Sequence, residues 1–255
     1  MKTMNKWLTL GCLALAGFGA ASSNASAREV RMVFGLALPP YVIQGSASGY
    51  EVDIIRAALA VKGHTLKPVF ASFLLVPKML KEHQADAAQR GNPELVEGKG
   101  FFYADEPTVL YQDAAISLKK NHLKIDSIAD LKGKAIVGYQ DAHDFLGAEF
   151  AAAVKDDPNY QESSDERRKV KMLYAGGTQV YVGDVNIFQY YRSMVKTDVD
   201  TTQGIDIHRI FPASADKTHH AVFLDKQIRD DFSEGLKQIK ANGQYRQIIR
   251  KYVND

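Results

Sequence analysis

Cysteine and tryptophan are almost missing from this chain, which has one of each, Cys12 and Trp7, both within its first 27 residues. Residues 28–255 therefore hold no disulfide, no thiol nucleophile and no thiolate ligand for a metal. Charge of one sign is lacking as well. Of 32 basic and 30 acidic side chains only Lys2 and Lys6 precede residue 28, so the remainder is balanced at zero. Such a chain has no electrostatic pull toward nucleic acid or an anionic membrane. Beyond residue 27 no apolar run approaches the roughly 20 residues that cross a bilayer. There is no G-x-S-x-G elbow, no H-E-x-x-H helix and no phosphate-binding glycine loop.

The first residues form a pattern of their own. Lys2 and Lys6 are followed by an apolar run over residues 7–21 and then by Ala25-Ser26-Ala27. That order predicts a secretory signal peptide over 1–27, cleaved after Ala27. The run is too short and too rich in glycine for a permanent anchor. Cys12 sits too early in it for lipoprotein processing. With 45% hydrophobic residues the chain has what a globular protein needs, and its length allows one large or two small cores.

Residues 31–38 read as a buried strand ended by Pro39-Pro40. Ile54, Ile55, Ala58, Leu59 and Val61 repeat at helical spacing, with Gly63 placed as a C′ glycine. Residues 66–70 and 86–89 read as further strands, and 74–82 as a second helix. Strand–helix–strand–helix–strand order argues for a parallel sheet. After a strand at 114–118 and a polar break, the pattern restarts. Ser127 and Asp130 have capping-box spacing. Strands are expected at 134–139, 170–174, 185–188 and 205–211, and helices at 142–155 and, briefly, 179–182. Residues 162–169 read as a solvated loop. A strand at 218–224, a long helix capped by Asp225 and a last helix before Tyr252 remain. Packed back on the first unit, they give two α/β lobes joined near Leu118 and near Phe211, with a cleft between them.

Five stretches, in this order, resemble the extracellular solute-binding proteins of family 3, whose best-known members serve polar amino-acid ABC transporters. They are Pro39-Pro40-Tyr41, Gly49-Tyr50-Glu51-Val52-Asp53, Leu80 with Ala85-Asp86-Ala87, residues 130–138, and the ending from Asn242-Gly243 to Tyr252. The resemblance implies a type II periplasmic-binding-protein fold, with lobe 1 at 28–118 plus 213–255 and lobe 2 at 119–212. It implies a monomeric, non-enzymatic periplasmic protein without cofactor, which captures a small polar or aromatic solute for an inner-membrane ABC permease. A sensor docking on a membrane receptor and a periplasmic dehydratase are the alternatives. Several positions depart from the family pattern. Leu95 stands where an arginine would clamp a ligand carboxylate, Ala37-Leu38 where an acid is usual, Asn186 where the G-x-x-D strand of the second lobe has its aspartate, and Tyr190-Tyr191 near the place of the acid that would receive an ammonium. A buried zwitterion needs both charges compensated, so these departures argue against an ordinary α-amino acid.

The candidate ligand contacts are Tyr41, Gln89, Arg90, Asn92, Tyr139, His143 and Tyr190. Tyr41 follows a rigid Pro-Pro step at a strand end and reads either as a stacking face or as core. Gln89, Arg90 and Asn92 leave the third strand, and Arg90 suits an anionic group. Arg192 is a second possible clamp. Tyr139, Asp141 and His143 precede a helix N-terminus, which favours anions, although Asp141 or Asp144 as a plain cap reads equally well. Glu94 and His143 are the acid and base an enzyme would need. His219-His220 is set aside as a metal pair, because adjacent strand residues face opposite ways.

Overall fold

The computed structural model describes residues 27–212 and 219–253, so the expected signal peptide, apart from Ala27, lies outside the described residues. The first lobe opens with β1 (Glu29–Phe34), α1 (Tyr50–Ala60), β2 (Thr65–Phe70), α2 (Val76–Lys81), β3 (Ala87–Ala88) and β4 (Phe102–Tyr103). The second lobe follows with β5 (Asp113–Leu118), β6 (Ile136–Gly138), α3 (Ala142–Phe145), α4 (Ala148–Val154), β7 (Tyr160–Glu162), α5 (Glu166–Ala175), β8 (Val180–Asp184), α6 (Val185–Met194) and β9 (Ile205–His208). The chain then returns to the first lobe as β10 (Val222–Phe223), α7 (Lys226–Ala241) and α8 (Gln244–Arg250).

Two five-stranded sheets result, ordered β2-β1-β3-β10-β4 and β7-β6-β8-β5-β9. In the first, β1 pairs in parallel with β2 and β3, and β10 runs antiparallel between β3 and β4. Pro68 lies on the edge strand β2, where a missing N–H is tolerated. In the second, β6 is parallel to β7 and β8, while β5 is antiparallel to β8 and β9. Leu118 is therefore not the end of the first lobe. The run from Asp113 is β-prone and apolar enough for either sheet, and its partners place it in the second. The crossings lie between Tyr103 and Asp113 and between His208 and Val222.

The amphipathic stripe of α7 packs on α1, burying Ile228, Phe232, Leu236 and Ile239 against Ile55, Ala58 and Leu59. The helices approach so closely that a Cβ on Gly235 would stand 2.0 Å from the Ala58 carbonyl oxygen. Asp225 caps α7 by accepting from Gln227 N and Ile228 N. The box at Ser127 and Asp130 forms on a short 3₁₀ turn.

Residues 162–194 depart most from expectation. Residues 170–174 are helical, 180–184 form the central strand β8, and 185–188 open α6. Lys169, Val170, Leu173 and Tyr174 are buried at helical spacing, a period hidden by the dense β-prone residues around it. Asp165 caps α5 and Gly176, with φ of 77°, ends it. At the next junction Asp184 is both the last residue of β8 and the N-cap of α6, so no loop marks the change. The helix read over 142–155 is two, split at Gly147, whose φ is 92°.

Candidate functional site

β3 ends at Ala88, and the side chains that follow turn into the cleft. Gln89 is buried; its Oε1 accepts from Gly35 N at 3.1 Å and its Nε2 donates to Glu51 Oε2 at 3.0 Å. The same Glu51 oxygen accepts from the Tyr111 hydroxyl at 2.8 Å. Burial pushes the Glu51 carboxyl up to about 7, against the pull of the Tyr111 hydrogen bond and the Arg90 charge. Arg90 lies with its guanidinium carbon 5.1 Å from the centre of the Phe73 ring. Its Nη2 stands 3.0 Å from His219 Nε2. A guanidinium only donates, so Nε2 is the acceptor and is unprotonated. Gly91 lets the chain turn here, since a Cβ would stand 2.2 Å from the Tyr103 ring.

Arg90 forms one wall of a cavity of about 530 Å³. Tyr111 and Asp113 from the first crossing, Tyr139, Phe145 and Leu146 from the second lobe, and Phe211 and His219 from the second crossing complete it. Phe145 is 74% exposed, an uncovered aromatic at the cleft. The cavity thus joins both lobes, and its lining holds a guanidinium, Arg90, and a carboxyl group, Asp113.

Asp113 pairs in register with Asp184 across β5 and β8. Burial, reinforced by the neighbouring Asp184 charge, pushes the Asp113 carboxyl up to about 7, while Lys169 pulls it down. Asp184 is buried but well supplied with donors. Its Oδ1 accepts from Asn186 N and Ile187 N at 2.9 and 3.0 Å, and its Oδ2 from Gln112 N and the Tyr41 hydroxyl, both at 2.8 Å. Asn186 Nδ2 donates to the Tyr50 and Tyr41 hydroxyls at 3.1 and 3.3 Å. These contacts tie α6 in the second lobe to α1 and the Pro-Pro turn in the first. Ile187 adds an apolar contact by joining the first lobe's core.

Of the candidate contacts, Arg90 and Tyr139 line the cavity. Tyr41 is wholly enclosed, its ring 4.5 Å from Tyr50 and 4.4 Å from Tyr111. Gln89 lines a second, apolar pocket of about 280 Å³ with Leu36, Leu38 and Phe73. Asn92 forms a turn, its Oδ1 accepting from Glu94 N at 2.9 Å. His143 is paired through Nδ1 with Glu162 at 2.7 Å. The helix N-terminus expected to favour an anion already has one, because Glu162 accepts from the backbone N–H groups of Asp141 and His143. These bonds and the Tyr160 hydroxyl hold the Glu162 carboxyl at about 2 despite its burial. Tyr190 packs edge-on against Tyr191 on α6, and Arg192 donates to the Thr201 carbonyl oxygen at 2.9 Å. Glu94 pairs with Lys81 in the other lobe from His143, so the two do not form a pair. Leu95 is buried in the first lobe with Val76, Leu80 and Tyr103 rather than facing the cleft.

Sequence reasoning missed Tyr111, Asp113, Phe145 and His219. The signal within reach was the crossing itself. Tyr111 and Asp113 immediately precede an apolar strand, which is where a cleft between lobes is walled.

No protein-family model matches the chain. Among curated proteins it is 23% identical over 266 residues to the arginine-binding extracellular protein ArtP of Bacillus subtilis strain 168, covering 98% of each chain. A polar amino acid ABC uptake transporter substrate-binding protein from Streptococcus thermophilus superposes with a TM-score of 0.65 at 15% identity, covering 89% of this chain and 86% of that one. The fold is that of a type II periplasmic binding protein. A histidine kinase sensor domain similar to periplasmic binding proteins shares it at a TM-score of 0.57 and 20% identity, covering 89% of this chain and 97% of that one. The resemblance to family 3 solute-binding proteins thus extends along the whole type II chain. Among the described residues no helix is long and apolar enough to cross a membrane.

Proposed function

We propose that this protein captures a small polar solute in the cleft between its lobes, outside the cytoplasm, and presents it to an ABC-type importer in the membrane. The observation that carries the reading is the cavity walled by both lobes and both crossings, with Arg90 and Asp113 on its sides. A solute touching both walls favours the closed arrangement, which is how a two-lobed binder reports occupancy. Arg90, steadied by Phe73 and His219, receives an anionic group of the solute. Asp113 receives a cationic one. With charges of both signs present, an amino acid is compatible with this cleft, and the arginine named for the Bacillus subtilis relative is the first probe. The aromatic walls at Tyr111, Tyr139 and Phe145 take the solute's apolar body. A sensor role with the same capture step draws support from the histidine kinase domain of like fold.

The test is a thermal-shift screen of residues 28–255 against amino acids, amines, small carboxylates, peptides and sugars. At a hundredfold excess over Kd a bound solute stabilises by about 2.7 kcal/mol. An amphoteric solute is expected to raise Tm, and Arg90→Ala to weaken its binding about a hundredfold with Tm of the empty protein nearly unchanged. A panel without any hit, or an Arg90→Ala protein of undiminished affinity, overturns the reading.

A further inference from the structure

In the polar run Glu166-Arg167-Arg168-Lys169 the last side chain is fully enclosed, with 0% of its surface exposed. Burying an ammonium is strongly unfavourable unless it is compensated. Its Nζ stands 2.7 Å from Glu166 Oε1, yet the approach is not aligned as a hydrogen bond. The other Glu166 oxygen accepts from the Tyr181 hydroxyl at 2.9 Å. The remaining faces of the ammonium meet the rings of Tyr181 and Tyr139, with centroids at 4.9 and 5.7 Å. Tyr139 is itself a wall of the cavity, so Lys169 sits one layer behind it. The helix α5 has other anchors, in the Asp165 cap and in Val170, Leu173 and Tyr174.

Asp113 faces charge from each element packed around it. Asp184 on β8 and Glu166 on α5 disfavour its ionisation, and Lys169 on α5 favours it. Tyr139 lies beside it at the end of β6, and Arg90 and His219 line the same cavity. Among the described residues no donor lies on the Asp113 carboxylate. We propose that Lys169 is a positioning residue for the solute site, which acts from behind the wall to hold Asp113 as the anionic contact for a cationic group of the solute. This rests on the cavity being the solute site. Tight binding then requires Asp113 to be ionised, and Lys169 lowers the pH at which that occurs.

The experiment follows Asp113 directly, by carboxyl ¹³C NMR titration of aspartate-labelled protein with the signal assigned through Asp113→Asn. Lys169→Met is expected to move the Asp113 midpoint up by about one pH unit or more. Lys169→Met with Glu166→Gln is expected to move it less, because two opposed charges are removed together. An unmoved midpoint in Lys169→Met overturns the proposal. In parallel, L-arginine affinity is measured at pH 6, 7.5 and 9. Lys169→Met is expected to lose about threefold at pH 7.5 and to recover at pH 9. An equal loss at every pH marks a purely structural lysine and also overturns it. If the wild type does not bind L-arginine, the amino-acid reading fails, while the carboxyl titration still decides the role of Lys169.

Discussion

Asp113 and Asp184 face each other across one strand pair, yet the chain treats them in opposite ways. Asp184 is wrapped by four donors, three from backbone N–H groups and one from the first lobe. Asp113 is left among aromatic rings and a second acid, with its carboxyl pushed up to about 7. Where donors are supplied, the carboxylate serves the fold and joins the lobes. Where they are withheld, no hydrogen bond offsets the cost of ionisation, and the proposed reading gives that place to a cation of the solute. Supply of donors, rather than depth of burial, separates a carboxylate that joins the lobes from one that lines the cavity.

The sharpest way to break that comparison is to delete both acids in turn. Asp184→Ala leaves three N–H groups and the Tyr41 hydroxyl without their acceptor and should cost about 3–5 kcal/mol in urea unfolding. Asp113→Ala should lie within about 1 kcal/mol of the wild type at pH 7. Equal losses would erase the distinction. A smaller effect reads Asp113 by pH. The Asp113 carboxyl stands at about 7 in the folded chain against an ordinary 3.8, so the folded state holds this proton more tightly. Its contribution to stability is present in full below pH 4 and is lost as pH rises through 7. Asp113→Asn, which cannot ionise, should therefore melt about 5 °C above the wild type at pH 8 and level with it at pH 4. Burial raises the Glu51 and Asp184 carboxyls as well, the latter against the pull of its donors, but both are common to the two proteins. The smallest effect belongs to the bridge itself. Tyr41→Phe removes one hydroxyl from Asp184 and should cost about 1 kcal/mol, with a larger radius of gyration by small-angle scattering as the lobes part more often. An unchanged radius would mean that the bridge does not govern opening.

Much of the first lobe was legible, because its helices carry clean apolar stripes, although its first strand stops at Phe34, short of the Pro39-Pro40 step expected to end it. The second lobe was less so between residues 162 and 194. There the burial of Lys169 breaks the rule that a charged run is solvated, and its stripe appears only when the lysine is counted as core. Asp184 closes a strand and opens a helix at once, which removes the turn residues a reader relies on. At the site, Arg90 and Tyr139 were within reach as residues leaving strand ends. Tyr41 was misleading because β1 stops at Phe34, and the turn that carries Tyr41 leads to the inter-lobe contact rather than to the cavity. Asp113 was hidden by the boundary: a strand assigned to the wrong sheet takes its first residue out of the cleft.

The late arrival of β10 has a bearing on how the molecule assembles. Its two residues lie between β3 and β4, and β4 pairs with no other strand of the first sheet. The second sheet, by contrast, is complete once residue 208 has emerged. During synthesis or export from the N-terminus the second lobe can therefore close first, while the lobe made earlier stays open between β3 and β4 until residues 222–223 thread into it. Truncation before β10 thus removes an inner strand of the first sheet and leaves β4 without a partner strand, rather than trimming the end of the chain.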